Sequence, residues 1–379
     1  MDPSPYRHLF PLREGDVFLD HAGVAPVSTR VADAVRRFLD EATTDGARRY
    51  PYWNLRVEEI RSACARLVGV EAARVTFVKN TSEGLSFVAR GLPWRPGDTV
   101  LLADREFPSN VYPWWGLSAR GVATRFITPG EDGIDAEAIA RALDGSVRVV
   151  ALSAVAYGTG ERLDLEAIGR LCRDRGVFLV IDGAQALGAV PIDLERDRLD
   201  CVVADGHKWL CAPEGAGFMA LSENLLDRLE PIELGWKSVV AGEESFYPYD
   251  LRLRRDAAKL EAGSLSIMAI HGLGAAVELA LEVGVAEIEA RLRGLTDALV
   301  EGLSLRERPR LGRRCATRSS GIVTFVPRGE PERVRQDLWA RGVVTRIRFG
   351  GLRLAPHHYQ DVGDVERFFE RYDAAEAAV

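Results

Sequence analysis

The chain has 379 residues, 47% of them hydrophobic, and a formal net charge of −7. That length is enough for a large core and two domains, while the acidic balance and the lack of a long basic run argue against nucleic acid as a partner. No stretch approaches the roughly 18 uninterrupted apolar residues of a membrane span, and the opening MDPSPYRHLFPLREGD holds no apolar run of signal-peptide length.

The five cysteines, Cys64, Cys172, Cys201, Cys211 and Cys315, show neither CxxC nor zinc-finger spacing. They read as small core residues in a soluble cytoplasmic protein with reduced thiols.

In chain order, Ser28 is placed to cap a helix through VADAVRRFLDEA, and Asn54 another through VEEIRSACARLV. β-rich runs then recur at 74–78, 99–103, 122–127, 147–152, 177–181 and 200–204, with helical patterns such as AEAIARAL and LEAIGRLCRD between most of them. Several runs are almost continuously apolar, as strands in a sheet covered on both faces must be. The alternation predicts an α/β fold with a large, mainly parallel, doubly wound sheet.

Past about residue 250 the pattern changes. Two long helical stretches, SIMAIHGLGAAVELALEV and VAEIEARLRGLTDALVEGL, precede the strand GIVTFV, a helix at PERVRQDLWARG, short strands near VVTRI and LRLA, and a last helix from Val362. This reads as a smaller α+β C-terminal domain. The expected division is a large domain over 15–250 and a small one made of 1–14 and 251–379. The aromatics of RRYPYWN (Tyr50, Tyr52, Trp53), Trp236 and the segment SFYPYD fit a pocket, an interface or a core equally well.

Three segments carry chemistry. In VIDGAQALG a buried strand delivers Asp182 to its C-terminal end, where open α/β sheets bind ligands. A carboxylate there suits a metal, a ribose or a protonated ring nitrogen, and Gln185 follows three residues on. In VVADGHKWLCAPEGAG another strand presents Asp205-Gly206-His207-Lys208. Partial desolvation would make such a lysine a usable amine nucleophile. In VKNTSEGL a strand ends and a helix begins near Thr81, so free N–H groups and the Thr81 and Ser82 hydroxyls offer an anion site.

Together these segments resemble the class V aminotransferase family, which includes cysteine desulfurases, selenocysteine lyases and isopenicillin N epimerase. The resemblance runs from VFLDHAGVAP (17–26) through NTSEGL, EFPSN (106–110), DGAQALG and DGHK to EAGS (261–264). It implies the type I fold of enzymes dependent on pyridoxal 5'-phosphate (PLP). It also implies that Lys208 carries the cofactor as a Schiff base, that Asp182 pairs with the pyridine nitrogen and that Gln185 bonds the phenolic oxygen. Thr81, Ser82 and His207 would hold the phosphate, and Ser264 would reach the phosphate of a neighbouring subunit, which implies a homodimer.

Two departures stand out. Asp205 replaces a serine common in relatives, and a carboxylate beside a phosphate must point elsewhere or meet a cation. EFPSN lacks the ring-stacking histidine of the desulfurases, so Phe107, or an aromatic such as Trp114, takes that place.

For the reaction, the resemblance makes Arg353 in GLRLAPHH the clamp for a substrate carboxylate, with Arg346 as a second arginine. Desulfurases that form a persulfide carry a cysteine in the loop before that arginine; here the interval is RIRFGGLR, without one. The reading that follows is a β-eliminating C–S lyase, with Lys208 as the base at Cα. The alternative is an epimerase or aminotransferase on a larger amino acid, for which Tyr112, Tyr157 and His357 are conceivable acids on the face opposite Lys208. A non-catalytic binding module is remote, since Lys208 and Asp182 are both present. A nicotinamide dehydrogenase lacks its GxGxxG.

Overall fold

A computed structural model describes residues 4–130, 133–240, 247, 249–313 and 318–377. Its helices are α1 Thr29–Thr44, α2 Tyr50–Leu67, α3 Thr81–Gly91, α4 Tyr112–Trp115, α5 Ala136–Ala142, α6 Leu165–Asp174, α7 Glu223–Arg228, α8 Ile267–Val283, α9 Val285–Leu305, α10 Pro331–Ala340 and α11 Val362–Glu376. Its strands are β1 Val17–Phe18, β2 Val75–Val78, β3 Thr99–Ala103, β4 Ala123–Ile127, β5 Val147–Ser153, β6 Phe178–Asp182, β7 Cys201–Asp205, β8 Gly217–Leu221, β9 Arg310–Leu311, β10 Val323–Phe325, β11 Val343–Val344, β12 Arg346–Arg348 and β13 Gly351–Leu354.

Seven strands form the large sheet in the order β2-β8-β7-β6-β5-β3-β4. Neighbours from β7 through β4 pair in parallel, and β8 runs antiparallel to both β7 and β2. The six expected strands match the β-rich runs to within about one residue. The seventh, GFMAL, follows the Gly-rich turn directly and was not anticipated. Strands β6, β7 and β8 are buried at every position, because helices cover both faces. One face packs Ile60 and Cys64 of α2 and Leu273 and Val277 of α8; the other packs Leu85 and Val88 of α3, Trp114 of α4 and Leu225 of α7. Burying one such Leu or Ile side chain stabilises the fold by roughly 1.5–3 kcal/mol.

The core divides the chain at other points than 14/15 and 250/251. β1 pairs in parallel with β11, and Val17 and Leu19 lie in the core that α9, α10 and α11 form with β10 and β13. Helix α8, in contrast, packs along α1 and α2 of the large unit. Val17 and Leu19 therefore belong to the smaller core and 267–283 to the larger, while Leu9 and Phe10 pack in a separate cluster with Ala25, Cys211, Leu279 and Tyr359. Periodicity marks helices but not the face each one covers, which is why the composition change near 250 misplaced α8. No single described helix is long and apolar enough to cross a membrane.

Ser28 caps α1 as expected, accepting from Val31 N at 3.3 Å. Asn54 does not cap α2, which begins four residues earlier at Tyr50 with Pro51 in its first turn. Proline is tolerated there because its missing N–H would have had no intrahelical partner. Cys64, Cys172, Cys201 and Cys211 are free and buried; Cys315 lies outside the described residues. Trp53 is a core residue, its indole donating to Glu41 Oε2 at 2.8 Å. Tyr247 and Tyr249 are exposed, and the rest of SFYPYD is not all described.

Candidate active site

The C-terminal edge of the large sheet gathers the residues singled out above. Parallel register sets Asp182 beside Ser153 of β5 and Val203 of β7, one strand from the β3–β5 boundary where strand order reverses, the usual ligand crevice of such sheets. Asp182 is buried, and its Oδ1 accepts from Ala184 N at 2.9 Å. Burial pushes its carboxyl up to about 6, against the pull of the Lys208 charge and that N–H. A buried carboxylate with so few donors is matched to a protonated nitrogen.

Asp205 ends β7 and knots three elements together. Its Oδ1 accepts from Thr81 N at 2.6 Å, its own N–H donates to the Thr81 hydroxyl at 3.1 Å, and its Oδ2 accepts from Lys208 Nζ at 3.1 Å. Burial alone would raise this carboxyl, but Lys208, the Thr81 N–H and His207 hold it below the usual range. The cation that Asp205 needed is thus the lysine itself, and the N-terminus of α3 adds its positive dipole end. Asn80 caps the same helix through Glu83 N at 3.0 Å. Ser82 keeps its N–H unpartnered among the described residues, and its hydroxyl reaches Ser109 at 2.7 Å. His207 is half-buried, and burial lowers its pKa despite Asp205.

Gln185 is buried, donating to Ala22 O at 2.9 Å and accepting from the Trp209 indole at 2.8 Å. A second amide N–H remains for a ligand. The Phe107 ring centroid lies 5.7 Å from Lys208 Nζ, so Phe107 is the aromatic over the lysine. Trp114 is not: it is fully buried in the core, bonded to Asn110 Oδ1 at 3.2 Å. Tyr112 is exposed beside Trp115. His357 is buried behind Trp209 with Nε2 2.9 Å from Trp209 O, and burial pushes its pKa down to about 4. Of the three residues weighed as an opposite-face acid, only Tyr157 adjoins the site.

The arginines form the second half of the site. Arg346 and Arg353 face each other across the β12–β13 hairpin, and one carboxylate holds both. Asp20 Oδ1 accepts from Arg353 Nη2 at 2.8 Å, and Oδ2 from Arg346 Nε at 3.1 Å. Arg353 also donates to Tyr157 O at 2.9 Å and leaves its buried Nε unpartnered. It is 1% exposed, and burial lowers its pKa even with Asp20 beside it. Arg353 is therefore not a free fork: it is pre-set, with spare donors. Asp20 sits in VFLDHAG, but nothing local showed that it meets arginines more than 300 residues away.

The hairpin turn consists of Phe349 and Gly350 alone, at φ +51° and +77°. Positive φ at both positions is what a type I′ two-residue hairpin turn requires. The Phe349 ring lies so near Gly158 that a Cβ there would fall 2.0 Å from it. No cysteine-bearing loop fits in this interval.

Two further glutamates were missed. Glu106 of EFPSN accepts from Ser153 N at 2.7 Å and bonds the Ser153 hydroxyl. Burial pushes its carboxyl up to about 7, and the Asp182 charge adds to that. Glu261 of EAGS is buried on Arg61, with contacts of 2.6 and 3.0 Å, and accepts from Phe77 N at 3.0 Å. It fastens the connector to the large sheet and leaves Ser264 exposed three residues on.

The class-V aminotransferase profile matches residues 17–360. A probable cysteine desulfurase of Methanothermobacter thermautotrophicus is 32% identical over 304 residues, 79% of this chain and 75% of that one. Isopenicillin N epimerase of Streptomyces clavuligerus is 29% identical over 339 residues, 83% of each chain. A solved variant of the cystine C–S lyase C-DES, with glycine covalently linked to its PLP cofactor, superposes with a TM-score of 0.90 at 24% identity, covering 97% of this chain and 99% of that one.

Proposed function

The chain belongs to the class-V aminotransferase family, and on that premise we propose that it is a β-eliminating C–S lyase acting on a cysteine-derived amino acid. It is a PLP-dependent enzyme. The residues at the sheet edge fit that cofactor: a poorly solvated carboxylate for the pyridine nitrogen (Asp182), a spare amide N–H (Gln185), a flat ring (Phe107), a lysine (Lys208), and an open N–H with hydroxyls at a helix start (Thr81, Ser82) beside His207. When bound, the cofactor supplies the electron sink that lets a Cα–H bond break.

The chain's own residues do the rest. Lys208 Nζ moves the proton at the substrate Cα, and Asp205, 3.1 Å away, orients that nitrogen and balances its charge. Arg353 takes the substrate carboxylate with its spare N–H donors, Arg346 adds a second cation, and Asp20 keeps both in place. Phe107 shields the lysine from water. Ser264, exposed and outside its own chain's site, is offered to a second copy, and we place it on the partner's phosphate in a homodimer.

The two-residue turn at Phe349-Gly350 carries the choice of reaction. Persulfide formation needs a nucleophile where this turn leaves no room, while elimination needs a base, the cofactor and a leaving group. Epimerisation is the second reading, favoured by the similarity to isopenicillin N epimerase and by Tyr157 at the site. Pyruvate release from L-cysteine, cystine, cysteine S-conjugates and cysteine sulfoxides decides. Pyruvate from one of these classes is expected. None from any, with the cofactor's visible absorbance intact, sinks the lyase reading in favour of epimerisation or transamination.

A further inference from the structure

Tyr157 and Phe349, which extend the aromatic row that begins at Phe107 over Lys208, wall a cavity of about 370 Å³. The row is continuous: Phe107 meets Tyr157 edge-on at 5.3 Å, and Tyr157 meets Phe349 at 5.4 Å. The backbone carbonyl of Tyr157 also holds Arg353, so the cavity begins one residue from the carboxylate clamp. A methyl or thiol side chain would leave nearly all of it empty, whereas pockets of roughly 300–1,000 Å³ enclose whole small ligands.

Phe349 was put there at a cost. It occupies the left-handed region at φ +51°, where a bulky L residue is strained. Asparagine or glycine would make the same turn without strain, so the position needs its ring. That ring walls the cavity.

The far side is polar and biased in charge. Asp104, Glu106 and Glu161 line it against one arginine, Arg105. Glu106 is committed to Ser153. Glu161 is held more loosely: among the described residues its buried Oε1 has no hydrogen-bond donor, and its ion pair with Arg318 Nη1 is 3.7 Å long, beyond hydrogen-bond range. Burial holds the Glu161 carboxyl above its usual range despite Arg318 and Arg313, as befits an under-solvated acid.

We propose that this cavity is the side-chain subsite of the enzyme, and that it takes amino acids with a long, mainly apolar or aromatic arm ending in an N–H donor directed at Glu161. This rests on the reading of Arg353 and Lys208 as the substrate's anchors and names the substrate class for that site. A cysteine S-conjugate with an aminomethyl-aryl arm has the required chemistry, and free cysteine does not.

The test is binding to the PLP-loaded enzyme, followed by the cofactor's absorbance and by calorimetry. The ligands are L-alanine, 4-ethyl-L-phenylalanine, 4-(aminomethyl)-L-phenylalanine and 4-(carboxymethyl)-L-phenylalanine, none of which has a β leaving group. The ethyl compound is expected to bind at least about tenfold tighter than alanine through its apolar arm. The aminomethyl isostere should gain about a further tenfold, and the carboxymethyl compound should be the weaker of the charged pair. Glu161→Gln should erase the aminomethyl preference and keep the ethyl-over-alanine preference. Equal affinity across the series, or tightest binding of the carboxymethyl arm, would overturn the subsite. Pyruvate release is scored separately: absent pyruvate with the expected binding order removes elimination and keeps the subsite, whereas pyruvate with a flat series does the reverse.

Discussion

The lysine end and the arginine end of the site are both built on buried carboxylates paired with cations, yet they are built in opposite ways. Asp182, Asp205 and Lys208 come from consecutive strand ends of one sheet, and they keep unused capacity: among the described residues Asp182 accepts one N–H, and the Ser82 N–H has no partner. Asp20, Arg346 and Arg353 come from the two ends of the chain and already satisfy one another. The comparison teaches that similar charges serve different purposes. At the lysine end they leave hydrogen-bonding capacity open, and at the arginine end they tie the two ends of the chain together while Arg353 keeps its Nε unpartnered among the described residues.

The sharpest separation is Lys208→Ala. It should abolish turnover, a loss of at least about 1,000-fold, together with the visible absorbance of the lysine-bound cofactor. Persistence of both in the purified variant would break the lysine end of the comparison. Next comes Asp20→Ala, which strands Arg353 in the interior without its anion. It should cost about 3–5 kcal/mol in urea unfolding, and a loss under about 1 kcal/mol would mean the arginines do not rely on Asp20. Arg353→Ala should lower kcat/KM by about 100-fold, mostly through KM; an unchanged KM would hand the carboxylate to Arg346.

A subtler difference lies in pH. Glu106 rises from 4.5 to about 7 on burial in the cofactor-free protein, so the folded chain binds this proton more tightly than the unfolded one. Its contribution is present below about 4.5 and is lost as pH rises through about 7. Glu106→Gln should therefore raise Tm relative to the parent at pH 8 and not at pH 4.5. A Tm difference independent of pH would show that the carboxyl is ordinary. The smallest effect is Gly350→Ala. Its φ of +77° with nothing within 4 Å makes the penalty purely conformational, about 1 kcal/mol by urea unfolding.

The same contrast explains what the sequence made legible. Asp182, Lys208 and Thr81 could be placed because apolar runs mark strands, strands mark an edge, and an edge marks a ligand crevice. Phe107 followed from its place in EFPSN. Strand β8 was hidden because GFMAL, after a Gly-rich turn, gives no sign of its direction. Asp20 was hidden because its partners lie 326 and 333 residues away, and no local pattern encodes a contact that only tertiary folding makes. Trp114 and His357 were misplaced for a related reason: an aromatic or imidazole near a motif in sequence need not face it in space.

The two-residue turn at Phe349-Gly350 also sets how this protein can be altered. A hairpin so short has almost no slack, and its tip projects at the mouth of a cavity rather than into a core. Lengthening such a tip raises closure entropy only slowly, by about 0.6 kcal/mol per doubling, and leaves the β12–β13 ladder to hold its own register. The turn is thus a graft point, where an inserted loop would bring new side chains over that cavity without rebuilding the scaffold beneath.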